Sequence, residues 1–235
     1  MNQLQNPPVQ GSTQVHSNRP FYMQNKTFFR TTPDVDLAYL QASFDKVPYD
    51  HYFTKGQRYR TTSRVAITDS GFKLLPKIPL YQPPSVNKLE KYGGISRDYE
   101  DAPVELIESE PFRKLITHWI SMTGLDPDSF SVHQIRTMGD GDPVPEGRHK
   151  DGTDWTGLYV VKRSEIEDHS ARTTYWDAEE NIVFQDVLQE GELTAFDDTK
   201  YTHTTTGLIP KRGAQSYRDV FVLTLPEHGV NLPPA

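Results

Sequence analysis

The alternation of apolar and polar positions divides the chain into a polar start, two helical stretches and a long series of strands. Residues 1–20 are rich in Gln, Asn, Ser and Pro without apolar periodicity, so they bury too little surface to offset the entropy of ordering. They read as a flexible tail ahead of a single domain over 21–235. Thr32-Pro33 has the form of an N-cap followed by a first-turn proline, and Leu37, Leu40 and Phe44 recur at helical spacing, which predicts a helix to about Val47. A second helix opens at Pro111, carries the stripe Leu115, Ile116, Trp119 and Ile120, and closes at Gly124. His118 lies within that stretch and reads as a packed or surface histidine.

Beyond Gly124 the period shortens. Ser131–Thr137, Trp155–Lys162, Arg172–Trp176, Asn181–Val187, Glu192–Phe196, His203–Ile209 and Tyr217–Leu225 are β-branched or aromatic runs separated by Gly, Pro, Asp and Asn. Gln57–Thr68 adds a further strand upstream. The spacing predicts a mainly β protein with flanking helices, an α+β chain whose strands form a sandwich or barrel.

Composition narrows what such a domain does. Eleven Phe, twelve Tyr and three Trp supply core material, and a net charge of −7 without a basic stripe argues against nucleic-acid binding. Zero cysteines exclude disulfides, thiolate metal sites and thiol nucleophiles. No apolar run approaches the roughly 20 residues that span a bilayer, and the start of the chain lacks the basic-then-apolar form of a secretory signal. The expectation is a cytoplasmic protein without a membrane partner.

The candidate chemistry rests on His149, Asp151, His203 and Arg218. His149 and Asp151 are two residues apart, so on extended backbone both project to one face, and a strand end at His203 can join them in a rolled sheet. Two imidazoles and one carboxylate on one face of a metal leave the opposite face open, as in non-haem Fe(II) oxygenases. A 2-oxo acid can chelate two of the open positions with O2 in the third, and a guanidinium can clamp the acid's far carboxylate. Arg218, at the head of an apolar strand, suits that role better than Arg212, which sits in a polar loop beside Gly213. An isolated His-x-Asp is usually a solvated pair; here the two later residues give it weight.

Gln134 and Arg136 share one strand face and are candidates for cofactor and substrate contacts, with a structural hydrogen-bond network as the alternative. Trp155 and Tyr159 can shape an apolar pocket or belong to the core. Arg60, with Arg58, can reach a pocket mouth or lie on a solvated sheet edge.

Taken together, Val132-His133-Gln134-Ile135-Arg136, Pro145-Glu146-Gly147-Arg148-His149-Lys150-Asp151-Gly152, Phe196-Asp197-Asp198, His203 and Arg218-Asp219-Val220, with Tyr59-Arg60 upstream, resemble the bacterial isoleucine dioxygenase family of Fe(II)/2-oxoglutarate enzymes. The resemblance runs from about residue 45 to 225. It implies a double-stranded β-helix, or jelly roll, with His149, Asp151 and His203 as iron ligands and Arg218 as the 2-oxoglutarate anchor. It further implies hydroxylation of a free aliphatic L-amino acid or a related small metabolite, with Fe(II), 2-oxoglutarate and O2 consumed to succinate and CO2. The retained Asp151 favours hydroxylation, since related halogenases carry a small residue there. Desaturation, ring closure, or a catalytically silent module that binds a small carboxylate stand as alternatives.

Overall fold

The computed structural model describes residues 21–22, 26–89, 92–139, 141–213 and 215–228, so the tail expected at 1–20 lies outside it. In chain order the elements are β1 (Phe21–Tyr22), β2 (Phe28–Thr31), α1 (Leu37–Ala42), β3 (Arg58–Thr68), β4 (Gly71–Leu74), α2 (Val104–Ile107), α3 (Glu110–Thr123), β5 (Ser129–Met138), β6 (Trp155–Ser164), β7 (Arg172–Trp176), β8 (Ile182–Val187), β9 (Leu193–Asp197), β10 (Thr202–Thr205) and β11 (Tyr217–Leu225).

The strands form two antiparallel sheets. The large one runs β1-β2-β9-β6-β11-β5-β3-β4 and the small one β10-β7-β8. Long connections between strands that are neighbours in space make this the rolled topology of a double-stranded β-helix. The small sheet packs on the inner face of the large one through aromatics: Tyr175 of β7 meets Phe196 of β9 edge-on at 4.8 Å, and Phe184 of β8 lies 5.5 Å from Phe28 of β2.

Helices cover the outer face. Ser109 caps α3, its hydroxyl accepting from the Phe112 amide at 3.3 Å, and Phe112, Leu115, Ile116, Trp119 and Thr123 form the buried stripe. Trp119 is fully buried against Phe130 and lies directly over Gly157 of β6, where a Cβ would come within 2.7 Å of its indole nitrogen. The helix therefore approaches the sheet more closely than any side chain at 157 would permit.

The first predicted helix is shorter than expected. Asp36, not Thr32, caps α1 by accepting from the Tyr39 amide at 3.0 Å, and residues 43–47 continue as tight turns such as Val47 N–H to Phe44 carbonyl. Pro48 bars Val47 from continuing a helix, because the residue before a proline is disfavoured in the helical region. Among the described residues no helix is long and apolar enough to cross a membrane.

The parity of each large-sheet strand decides what reaches the interior. Val132 of β5, Tyr159 of β6 and Phe221 and Leu223 of β11 belong to the core under the helices. Their neighbours His133, Ile135, Thr156, Leu158, Arg218, Val220 and Val222 face a cavity between the sheets.

Candidate metal centre

His149 and His203 face each other across an isolated antiparallel bridge, with reciprocal N–H to carbonyl bonds of 3.0 and 2.9 Å. Directly opposed residues carry their side chains to one side, and the two rings lie 4.5 Å apart. Asp151 stands between them: one carboxylate oxygen is 3.5 Å from His149 Nε2 and the other 3.6 Å from His203 Nε2. One potential ligand atom from each of the three residues can be chosen so that all lie within 4.8 Å of one another.

Each group is oriented by its surroundings. His149 Nδ1 donates to the Gly147 carbonyl at 2.9 Å, which leaves Nε2 free to face Asp151. The His203 ring is stacked on Tyr175 at 5.6 Å and held edge-on by Phe196 at 5.0 Å. Asp198, buried, accepts from the backbone amides of Asp151, Gly152 and Thr153 at 3.0, 2.8 and 3.1 Å. That grip fixes the turn carrying Asp151. Gly152 adopts φ +80° there, and a Cβ would strike Val86 at 2.9 Å.

The electrostatics are those of a site built for a cation. Burial opposes charge on His149, yet Asp151, Glu146 and the Gly147 carbonyl outweigh it and push the imidazole up to about 9. Burial pulls His203 down to about 4, and only partly does Asp151 counter this. Asp151 is lowered because the two histidines outweigh its burial, whereas burial and the Asp151 charge raise Asp198 to about 7. Asp151 Oδ2 and His203 Nδ1 are buried without a hydrogen-bond partner. Two nitrogens and a carboxylate converging without sulfur fit a ferrous ion, which would be held by His149, Asp151 and His203.

The triad forms one wall of a cavity of about 220 Å³. Arg218 forms another part of it: the residue is 3 % exposed, and its Nε and Nη2 are buried without a partner. Across the strand pair Arg218 stands beside Arg163, whose Nη2 donates to the carbonyls of Glu167, Asp168 and Ser170 while its Nη1 is buried without a partner. Burial and Arg163 together pull Arg218 down from the ordinary guanidinium range to about 10. Arg212, the competing clamp, is exposed.

Three candidates lie on the wrong face of the sheet. Gln134 is fully buried on the helix side, donating to the Ser43 carbonyl and hydroxyl at 3.2 and 3.1 Å and accepting from Thr61 at 3.0 Å. Arg136 forms a two-pronged pair with Asp219, both bonds 2.7 Å. Trp155 stacks on Phe29 at 6.2 Å within the outer core, beside Tyr159. All three are corrections with one cause: they share the parity of Val132 and Tyr159, which α3 covers. Arg60 and Arg58 do line the cavity. His118 bonds to Thr31 at 3.3 Å, away from the triad.

Sequence reading passed over the strap between β4 and α2, which closes the cavity with Leu80, Gln82, Val86, Asn87, Tyr92 and Arg97. It has neither helical nor strand period; Pro76, Pro79, Pro83 and Pro84 were the available signal.

Comparison with known proteins bears on this geometry. The family model described as 2OG-Fe dioxygenase matches residues 41–224. The chain belongs to the 2OG-Fe dioxygenase family. This dioxygenase accordingly uses Fe(II), 2-oxoglutarate and O2, and the His149, Asp151 and His203 cluster is the set of side chains present to hold the iron. Among solved structures it is similar to a bsmA homolog from Methylobium petroleophilum PM1, with 22 % identity, 89 % of this chain and 92 % of that chain covered, and a TM-score of 0.69. IDO from Bacillus thuringiensis shares 15 % identity over 85 % of this chain and 93 % of that one, with a TM-score of 0.67. The Fe(II)/(alpha)ketoglutarate-dependent dioxygenase TqaL shares 16 % over 80 % and 73 %, with a TM-score of 0.59. Likeness at this identity carries the fold, and that fold is the double-stranded β-helix. No curated protein matches the chain.

Proposed function

We propose that this dioxygenase hydroxylates an unactivated C–H bond of a free L-amino acid or a small amino-acid-like metabolite, with Arg218 anchoring 2-oxoglutarate. The observation that carries the reading is Arg218 itself. A guanidinium buried without a partner is costly, and its retention beside a metal triad makes sense when an anionic co-substrate completes it. A carboxylate meets such a group through two charge-assisted hydrogen bonds.

Iron, when bound, supplies oxygen activation coupled to the decarboxylation of 2-oxoglutarate. The chain's own side chains do the rest. His149, Asp151 and His203 leave one side of the site open toward the cavity, Arg218 fixes the co-substrate's orientation, and Leu158, Val220 and Val222 keep the wall around it apolar and dry. The strap shields the opposite side. A cavity of about 220 Å³ lies below the roughly 300–1,000 Å³ of most ligand pockets, which supports a small metabolite over a polymer. Net charge of −7 supports the same view, and on this reading the enzyme works in the cytosol on a dissolved substrate, not on nucleic acid or a membrane. The isoleucine dioxygenase-like motifs around His133, His149 and Arg218 support an amino-acid skeleton.

Anaerobic addition of Fe(II) and then 2-oxoglutarate tests the co-substrate site: a visible metal-to-ligand charge-transfer band should form. In air, substrate-dependent succinate release from the standard amino acids and simple derivatives, with a product heavier by one oxygen, should follow. A product lighter by two hydrogens would replace hydroxylation with desaturation or ring closure. Absence of the band would end the reading altogether.

A further inference from the structure

Among the described residues, the charges around the end of the cavity closed by the strap do not balance. Three arginines line it, Arg58, Arg60 and Arg97. Asp50 neutralises Arg58 through a buried ion pair of 2.8 Å. Among the described residues no carboxylate lies within ion-pair distance of Arg60 or Arg97. Of the cavity's own carboxylates outside the triad, Glu227 is taken by Arg64 at 3.2 Å and by Ser129 at 2.5 Å, and Glu146 stands 3.9 Å from His149 Nε2 at the metal end.

Both free cations are nonetheless held in place. Arg97 is 2 % exposed; its backbone bridges Leu80, one arm donates to Gln82 at 2.6 Å, and the guanidinium lies 5.2 Å from the Tyr92 ring centroid. Its Nε remains buried without a partner. Arg60 lies 4.9 Å from the Tyr99 ring centroid and donates to Thr62 at 3.2 Å and to His133 Nδ1 at 3.1 Å. His133 Nδ1 also lies 3.0 Å from the Thr62 hydroxyl, so this nitrogen is an acceptor and the opposite one, Nε2, carries the proton of the neutral ring. Burial first, then Arg60, keeps that ring neutral. Stacking on tyrosine and neutral hydrogen bonds offset only part of the cost of one buried and one half-buried positive charge.

We infer that Arg60 and Arg97 form a second anion subsite, distinct from Arg218, and that it selects a primary substrate of net negative charge: a small organic acid whose nitrogen is acylated or absent, or which carries a second acid group. The inference rests on the oxygenase reading and narrows it. A zwitterionic amino acid brings a carboxylate for the arginines together with an ammonium ion, and among the described residues the carboxylate beside them, Asp50, is already paired with Arg58. A net anion supplies the first without the second. No bond-making step is involved; the subsite sets which acid enters and which end points away from the metal.

The test uses the full-length protein with Fe(II) and 2-oxoglutarate under anaerobic conditions, where substrate entry perturbs the charge-transfer band without turnover. The probes are the standard amino acids, their N-acetyl and desamino derivatives, and their primary amides, compared within each carbon skeleton. The expected result is binding of N-acetyl or desamino acids on the order of tenfold or more tighter than the parent zwitterion, no binding of amides, and loss of that preference in both Arg97→Gln and Arg60→Gln. Formation of the unperturbed band in each variant certifies that the site is still folded. Equal binding of zwitterion and anion, binding of amides, a preference that survives both substitutions, or silence across the whole panel overturns the inference. A missing band in the wild-type protein instead overturns the oxygenase reading on which it rests.

Discussion

Replacing Arg218 with methionine should stabilise the protein alone and abolish its stabilisation by 2-oxoglutarate, two effects of opposite sign from one substitution. Burial and Arg163 hold the guanidinium at about 10, well below its ordinary range. A displacement of that size corresponds to roughly 3 kcal/mol of unfavourable surroundings for the charged form. Because the folded-state value is depressed, the cost is fully present below about 10 and fades only as pH rises from there toward the ordinary guanidinium value. At pH 7.5 it applies in full. Methionine keeps most of the apolar stem while removing the charge, so allowing about half of the figure for lost packing leaves a gain of about 1–2 kcal/mol. In a chain of this size that corresponds to about 2–8 °C in Tm.

The co-substrate arm reads the other way. For wild-type protein with an inert divalent metal, 2-oxoglutarate at a hundred times its Kd adds about 2.7 kcal/mol, a further rise of roughly 5–11 °C. The variant should lose this rise, because removing one partner of a buried charged pair costs about 2–5 kcal/mol of binding. Differential scanning fluorimetry at pH 7.5, with and without metal and 2-oxoglutarate, measures both arms. A less stable Arg218→Met protein that still shows the full 2-oxoglutarate shift would refute the argument that this cation awaits an anion.

Three further substitutions test the supporting structure. Asp198→Asn removes an acceptor from a carboxylate that receives three backbone amides and sets the Asp151 turn; Fe(II) affinity, titrated anaerobically, should fall about 10–100-fold while the circular dichroism spectrum stays the same. Gly157→Ala places a methyl 2.7 Å from the Trp119 indole nitrogen, which should cost about 1–3 kcal/mol in chemical denaturation with little change in turnover of the surviving folded enzyme. Arg136→Met leaves Asp219, 1 % exposed, without its partner, and should lower stability by about 3 kcal/mol with the KM for 2-oxoglutarate unchanged. A raised KM would return Arg136 to the site.

Much of the β domain was legible because its strands are β-branched and aromatic runs bounded by turn residues. The expected Tyr217–Leu225 and Arg172–Trp176 coincide with β11 and β7, and the edges of β5, β6, β8 and β9 fall within two residues of expectation. Elements defined by their partners were not visible. β2 is a four-residue strand that exists by pairing with β9, and β4 by pairing with β3; neither carries enough sequence of its own to announce a strand. The strap posed a different problem, since it is ordered by contacts such as Val86 on Gly152 and Arg97 on Gln82, which no local pattern encodes.

The site divides along the same line. His149, Asp151 and His203 were readable because metal ligation demands particular atoms, and period two constrains a His-x-Asp pair wherever it lies. Gln134 and Arg136 were misread because period two states which residues share a face but not which face is inside. The answer was nevertheless present in β5 itself. Val132 shares their parity, and an apolar residue alternating with His133 and Ile135 must find a cover; α3, with its broad apolar stripe, is the only long helix among the described residues able to supply one. Anchoring parity on the residue that a helix must cover would have turned Gln134 and Arg136 outward and His133 inward. It would also have set His133 beside Arg60 at the strap end of the cavity, where the two arginines without a carboxylate lie.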